Sequence, residues 1–430
     1  MLSNTARTGG KKVQPRTSVH RNHLKTILFG TVAAFLVLSL LLYPEQAFDS
    51  ALKGLKIWWD VVFPALLPFF VASEILMGFG VVHFMGVLLE PFMRPLFRVP
   101  GTGAFVMAMG LASGYPIGAK LTARLREQKL LSRSEGERLV SFTNTADPLF
   151  MFGAVAVGFF HDVSLGVVIA IAHYTSSLLV GLAMRFHDPR GDSTPPVPSD
   201  QSFFLLRAFR AMHQARLKDG RSLGQLMGDS VTSSIQTLLL VGGYIIMFSV
   251  ITDVLTKIGV TELLAGFLGL LLSLLQIPTE LAPALITGTF EITLGAQRAS
   301  VAPETVDMVY KIAVAGVVTA WSGLSVHAQV ASILSKTDIR YTPYFFARLL
   351  HGVLAGLITL IIWDPVHQYL LSDAAIPAFL QQVPEAGWTS MLERFLHIGG
   401  RALLLLTGMI VVATAIRWIR RTAAALRRAG

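Results

Sequence analysis

Two stretches of this chain, Gly110-Leu-Ala-Ser-Gly-Tyr-Pro-Ile-Gly-Ala-Lys120 and Ser141-Phe-Thr-Asn-Thr-Ala-Asp-Pro148, lie between apolar segments of membrane length yet are rich in glycine, proline, hydroxyls, amide and charge. A backbone that leaves the helix in hydrocarbon exposes N–H and C=O groups at several kcal/mol each. It persists only where protein buries it or where it lines a polar cavity. Each run therefore marks a candidate binding site. A second copy lies about 178 residues downstream. Val99-Pro100 recurs as Ile277-Pro278, Gly118-Ala-Lys120 as Gly295-Ala-Gln297, and Phe142-Thr-Asn-Thr-Ala-Asp147 faces Ala320-Trp-Ser-Gly-Leu-Ser325.

Such breaks have this meaning only inside a membrane, and the composition supplies one. Of 430 residues, 53% are hydrophobic and 14% charged, with mean hydropathy +0.59. That excludes an ordinary soluble domain and points to an all-α polytopic membrane protein. A net charge of +10 can signal nucleic acid, but the basic residues fall in loops between spans, where they set topology. The expected surroundings are the lipid bilayer, with no nucleic acid partner. The chain has no cysteine, so neither a disulfide nor a cysteine metal site is available.

Residues 1–25, with six Lys or Arg among Gly, Ser, Thr and Pro, read as a disordered cytoplasmic tail. Thr26 to Tyr43, about 18 apolar residues, reads as a first span rather than a signal peptide, since no small-residue cleavage site follows. Residues 44–60, of mixed charge and ending in Trp58 and Trp59, read as an external segment. The first repeat, 61–186, opens with a span from Val61 to Val82 that carries Pro64, Pro68 and Glu74, then an interfacial arm at 84–98. Residues 101–119 predict a re-entrant hairpin with its tip at Ser113-Gly114-Tyr115-Pro116, both ends held inside by the basic run 120–138. Leu139 to Phe160 crosses outward, interrupted at Asn144–Pro148, and Val163 to Phe186 returns.

Residues 187–224 read as a cytoplasmic linker holding an amphipathic helix from Phe203. The second repeat, 225–365, follows the same plan. It has a span from Val231 to Leu255, an arm from Glu262 to Gln276 and a hairpin at 281–297. A long span from Thr305 to Leu334, broken at Trp321–Ser325, and another from Tyr344 to Trp363 complete it. An external loop, a last span from Leu396 to Ile416 and a basic cytoplasmic tail make up 366–430.

The result is about eight transmembrane helices and two re-entrant hairpins. With both termini cytoplasmic in the cell membrane, the inside segments hold 29 Lys or Arg and the outside ones 7, which accounts for all 36; the reverse orientation would invert a strong bias. Three spans per repeat turn the second copy upside down. Inverted repeats whose broken segments meet near the midplane are the architecture of secondary transporters.

The run Ser113-Gly-Tyr-Pro-Ile-Gly-Ala-Lys120 followed by Asn144-Thr-Ala-Asp-Pro-Leu-Phe150 resembles the sporulation integral membrane proteins of the YlbJ type. These belong to the larger group that shares the nucleoside-recognition, or Gate, domain with concentrative nucleoside transporters and the membrane part of the ferrous-iron transporter. The likeness covers roughly residues 60–365. It implies a carrier that holds substrate between hairpins and broken helices. For the sporulation branch it implies export of dipicolinate from the mother cell toward the forespore. A nucleoside or nucleobase transporter, and a channel or scaffold of a sporulation membrane complex, are the rival expectations. An enzyme is not expected, because the chain carries no His pair at metal spacing and no Gly-x-Ser-x-Gly elbow.

Gly114, with Pro116 and Gly118, suits a turn that needs permissive or preset φ. Ser113 and Tyr115 at the tip donate either to substrate or to turn carbonyls. Lys120 either attracts an anion at the mouth or anchors the basic loop. Asn144, Thr145 and Asp147 sit at a proline-broken midspan, where a retained carboxylate implies a partner, an ion or a proton. Thr289, Glu291 and Thr293 put polar groups on the second tip at a spacing of two, which suits unwound chain. Trp321, Ser322, Ser325 and His327 extend the broken helix opposite. Trp321 either stacks on an aromatic ligand or packs, and His327 either carries a coupling proton or is a hydrogen-bonded packing residue. No metal or cofactor is expected beyond a coupling proton or sodium ion. The expected partner is a small-molecule substrate, and a homo-oligomer is compatible with the pattern.

Overall fold

The computed structural model describes residues 37–195 and 204–369, with scattered positions from 27 to 35. The expected tail at 1–25, much of the first span, and the loop, last span and tail beyond 369 lie outside the described residues. The first half runs α1 (Pro44–Ile57), α2 (Phe63–Gly78), α3 (Val81–Phe97), α4 (Gly103–Ser113), α5 (Ile117–Glu127), α6 (Arg133–Thr143), α7 (Leu149–Phe159, wound as a π-helix) and α8 (Leu165–Met184). A linking helix, α9 (Phe204–Asp219), leads to the second half. This runs α10 (Leu223–Lys257), α11 (Val260–Leu274), α12 (Ala282–Phe290), α13 (Ile292–Ser300), α14 (Met308–Trp321), α15 (Gly323–Leu334) and α16 (Tyr341–Tyr369).

The halves match element by element because the same backbone signals recur. Gly80 and Gly259, with φ of 81° and 79°, precede α3 and α11. This left-handed conformation, open to glycine, turns each long helix into its arm; α2 and α3 meet at 81°. Gly114, with φ 73°, and Pro116 separate α4 from α5, while Glu291 in extended backbone separates α12 from α13. Pro148 disfavours helix in the residue before it, and the chain stays unwound from Asn144 to Asp147 between α6 and α7. The equivalent break between α14 and α15 is made by Ser322 and Gly323, both left-handed at φ of 72° and 70°.

Two segments are more helical than the sequence suggested. Residues 44–57, expected as an external connection, continue through a π turn at Trp58–Val62 into α2. The resulting rod pairs antiparallel with α10, itself 35 residues and thus about 52 Å long. Ser50 donates to Asp253 at 2.5 Å, Trp58 Nε1 to the Leu238 carbonyl at 2.9 Å, and Ser233 to Glu74 at 3.0 Å. The basic run 120–138 folds into the end of α5 and the start of α6, where Ser132 and Glu135 form a capping box.

Among the described residues four helices are long and apolar enough to cross a membrane, α8, α10, α14 with α15, and α16, and the bent pair α2 and α3 makes a fifth. The halves interlock. Ile292 and Ala296 of the second hairpin pack with Met151 and Val155 of α7, and Ala119 and Ala123 of the first hairpin pack with Val326 and Val330 of α15. Close approach in a membrane needs small residues. A Cβ on Gly110 or Gly118 would lie 2.0 or 2.3 Å from the Thr143 carbonyl oxygen, so the first hairpin seats directly on the end of α6. The linking helix α9 lies along α3, with Phe209 and Phe84 ring centroids 5.0 Å apart.

Candidate functional site

A cavity of about 430 Å³ lies where the hairpins approach the broken helices. Its polar wall comes from Tyr115 on the first hairpin, Asp147 at the first break, Glu291 and Thr293 on the second hairpin, and Ser325 and Gln329 on α15. The paired rods α2 and α10 close it with apolar side chains such as Leu66, Val241 and Ile245. Both acids cap half-helices. Asp147 accepts from the Phe150 N–H at 2.9 Å, at the start of α7, and Glu291 from the Leu294 N–H at 2.8 Å, at the start of α13. Each carboxylate thus meets backbone N–H groups at the start of a half-helix. The tips fit the breaks closely. A Cβ on Gly114 would lie 2.3 Å from Asp147 Oδ2, and one on Gly323 3.0 Å from the Phe290 carbonyl.

Behind this wall runs a buried network. Arg348 of α16, wholly buried, donates to the Asn144 carbonyl at 3.0 Å and to the Tyr115 hydroxyl at 2.9 Å. Tyr115 in turn donates to the Thr319 carbonyl at 2.8 Å, and Asn144 Nδ2 donates to Tyr344 at 2.9 Å. Thr145 donates to the Gly110 carbonyl at 3.2 Å, and Ser113 is buried beside the tip. The carbonyl of Asn144, whose helical partner would be the N–H that Pro148 lacks, thus accepts from a guanidinium instead. Among the described residues, none of the bonded partners of Arg348 is an acid.

Nine of the fourteen expected site residues do not line the cavity: Ser113, Gly114, Asn144 and Thr145 lie behind its wall, and five more have other partners. Thr289 is exposed and donates to the Leu285 carbonyl one turn back. Trp321 packs against His327 with ring centroids 4.1 Å apart and planes tilted by 31°, and donates to the Thr289 carbonyl. His327 Nε2 faces the Trp321 carbonyl at 3.0 Å, so in the neutral ring that nitrogen carries the proton and Nδ1 accepts from Tyr341 at 2.6 Å. Ser322 donates to the Trp321 carbonyl at 2.5 Å. Lys120 pairs with Glu74 of α2 at 3.1 Å.

The sequence reading overlooked Arg348 and two histidines. Arg348 lies four residues into the expected span from Tyr344 and passed as part of the inside basic bias, although an ionisable residue within a span is itself a signal. His173 and His351 stand 178 residues apart, the offset of the repeat, and their rings meet at 4.7 Å. His351 Nε2 donates to the His173 carbonyl at 2.9 Å, and His173 Nε2 accepts from the Ala146 N–H at 3.0 Å in the unwound segment. These residues at the repeat offset bring α8 and α16 into direct contact.

Fold and site together define an all-helical membrane protein of two matched halves, with broken helices and hairpins around a shared cavity. The family model described as Nucleoside recognition, or Gate, matches residues 59–184. The sporulation integral membrane protein YlbJ of Bacillus subtilis (strain 168) is 50% identical over 351 residues, which cover 80% of this chain and 84% of that protein. The chain belongs to the YlbJ family of sporulation integral membrane proteins. Among solved structures, a CNTnw variant in an outward-facing state is similar at 12% identity and a TM-score of 0.37, over 81% of this chain and 88% of that one.

Proposed function

We propose that this protein is a secondary carrier of a small polar or anionic metabolite, dipicolinate in spore formation, working by alternating access at the cavity between the two hairpins. One observation carries the proposal: each hairpin tip abuts a broken helix, and both junctions open on one cavity with an acid capping a half-helix at each. That pairing of broken elements is how carriers build a midplane site. In this reading the chain has eight spans, both termini cytoplasmic, and hairpins that enter from opposite faces. Asp147 and Glu291 take up a coupling proton or sodium ion. Positive potential for an anion comes from the half-helix N-termini and from Arg348, one side chain behind Tyr115.

The second reading, a nucleoside or nucleobase, is favoured by the cavity wall itself, which is apolar apart from hydroxyls, an amide and two acids and carries no cation among the described residues. Counterflow in proteoliposomes separates the two. The carrier reading predicts saturable uptake of labelled dipicolinate, accelerated by unlabelled dipicolinate inside. Acceleration by nucleosides alone moves the assignment to the second substrate. Linear uptake without counterflow for either contradicts a carrier.

A further inference from the structure

A second pocket of about 180 Å³ lies toward the end of the molecule that carries the basic loops. Four elements that wall the central cavity also wall this pocket, one or two turns further along. On α2 the wall passes from Leu66 to Glu74, and on α10 from Val241 to Thr237 and Ser233. On α15 it passes from Gln329 to Ser332, and on the first hairpin from Tyr115 to Lys120 and Arg124. The two spaces are therefore successive chambers of one groove between the paired rods and the hairpin with α15.

The Lys120–Glu74 ion pair crosses this groove at 3.1 Å, with both side chains nearly buried. Ser233 holds Glu74 from α10 at 3.0 Å, and the Lys120 ammonium lies 5.1 Å from the Phe70 ring centroid. Arg124 is paired with Glu127 at 3.4 Å, while Lys336 at the rim forms no ion pair among the described residues. Among the described residues the pocket thus offers one uncommitted cation and neutral donors in Ser332 and Gln236.

Building on the carrier reading and its orientation, we infer that this pocket is a cytoplasmic vestibule selective for small carboxylate anions, closed toward the central cavity by the Lys120–Glu74 latch. An arriving carboxylate replaces Glu74 as the partner of Lys120, so the latch opens by exchange of one carboxylate for another; Lys120 keeps a counter-charge, and the released Glu74 keeps its Ser233 hydrogen bond and takes its charge to the water of the open vestibule.

The native chain has no cysteine, so single introduced thiols report accessibility cleanly. In vesicles exposing the basic-loop face, Ser332→Cys should react with an impermeant sulfonate-bearing thiosulfonate about fivefold faster than with a trimethylammonium analogue, each rate normalised to free cysteine. Lys336→Gln should erase that preference. Gln329→Cys, in the central cavity, should react slowly from this face in the otherwise native chain and at least about tenfold faster once Lys120→Met opens the latch. If Lys120→Met does not yield folded protein by size exclusion, Glu74→Gln breaks the same latch. An unreactive Ser332→Cys beside a reactive Ser335→Cys, a faster cationic reagent, or equal labelling of Gln329→Cys with the latch intact and broken would each overturn the inference. No substrate is used, so these outcomes are independent of whether dipicolinate is carried.

Discussion

Tyr115→Phe deletes one hydroxyl and breaks two hydrogen bonds, the one received from Arg348 at 2.9 Å and the one given to the Thr319 carbonyl at 2.8 Å. The ring remains, so its contact with the guanidinium, 5.5 Å from the centroid, survives. A neutral hydrogen bond inside a membrane protein is worth about 0.6 kcal/mol on average, and one to a charged group about 1.5–3 kcal/mol. The substitution should therefore destabilise by about 2–3.5 kcal/mol. In an Arg348→Met background the charged bond is already gone, and the same change should cost only about 0.5–1 kcal/mol. The expected coupling is thus about 1.5–3 kcal/mol, measurable as a double-mutant cycle by reversible SDS titration in mixed micelles. Additivity within about 0.5 kcal/mol would refute the reasoning, because it would mean that the buried guanidinium is not held by Tyr115.

Gly110→Ala and Gly118→Ala drive a methyl group to 2.0 and 2.3 Å from the Thr143 carbonyl oxygen, and each should lower stability by about 1–3 kcal/mol or more in the same titration. Gly228→Ala, in open space on α10, should instead raise it by up to about 1 kcal/mol. Asp147→Asn and Glu291→Gln each keep an oxygen to cap α7 or α13, so folded yield should change little while transport or its ion dependence is lost. A large fall in yield with normal activity per molecule would make both acids structural. At the end of the molecule that carries the basic loops, hydrogen bonds from Arg126 at 2.7 and 2.8 Å hold the Asp338 carboxyl below its ordinary range. A lowered folded value gives stability that is present at neutral pH and fades as pH falls through that value. The Tm advantage over Asp338→Asn should be small and should vanish in acid.

The breaks in the fold were legible because they are written in residues with few backbone options. Pro148 unwinds the chain before it, Gly114 and Gly323 take positive φ, and motif pairs 177 or 178 residues apart match breaks found in both halves. Contacts between distant elements were not legible. Trp321 and His327 look free on their own helix, and only the arrival of Tyr341 and Phe345 from α16 fills the space around them. Lys120 looks like a loop charge until α2 brings Glu74 to it. Residues 44–57 look like a connection because their charges mask the face that α10 covers through Ser249 and Asp253. Arg348 was hidden by a counting rule that treats any basic residue near the start of a span as topology.

Cysteine labelling from each side of the membrane at the four ends of the two hairpins tests the inverted arrangement most directly. Arg98→Cys and Gln128→Cys flank the first hairpin, and Glu280→Cys and Val301→Cys the second; all four positions are exposed. Impermeant reagent should reach the first pair only from the cytoplasmic face and the second pair only from the opposite face. If the two ends of either hairpin are labelled from different faces, that element is a plain span, and the two hairpins do not enter from opposite sides to meet at a shared cavity.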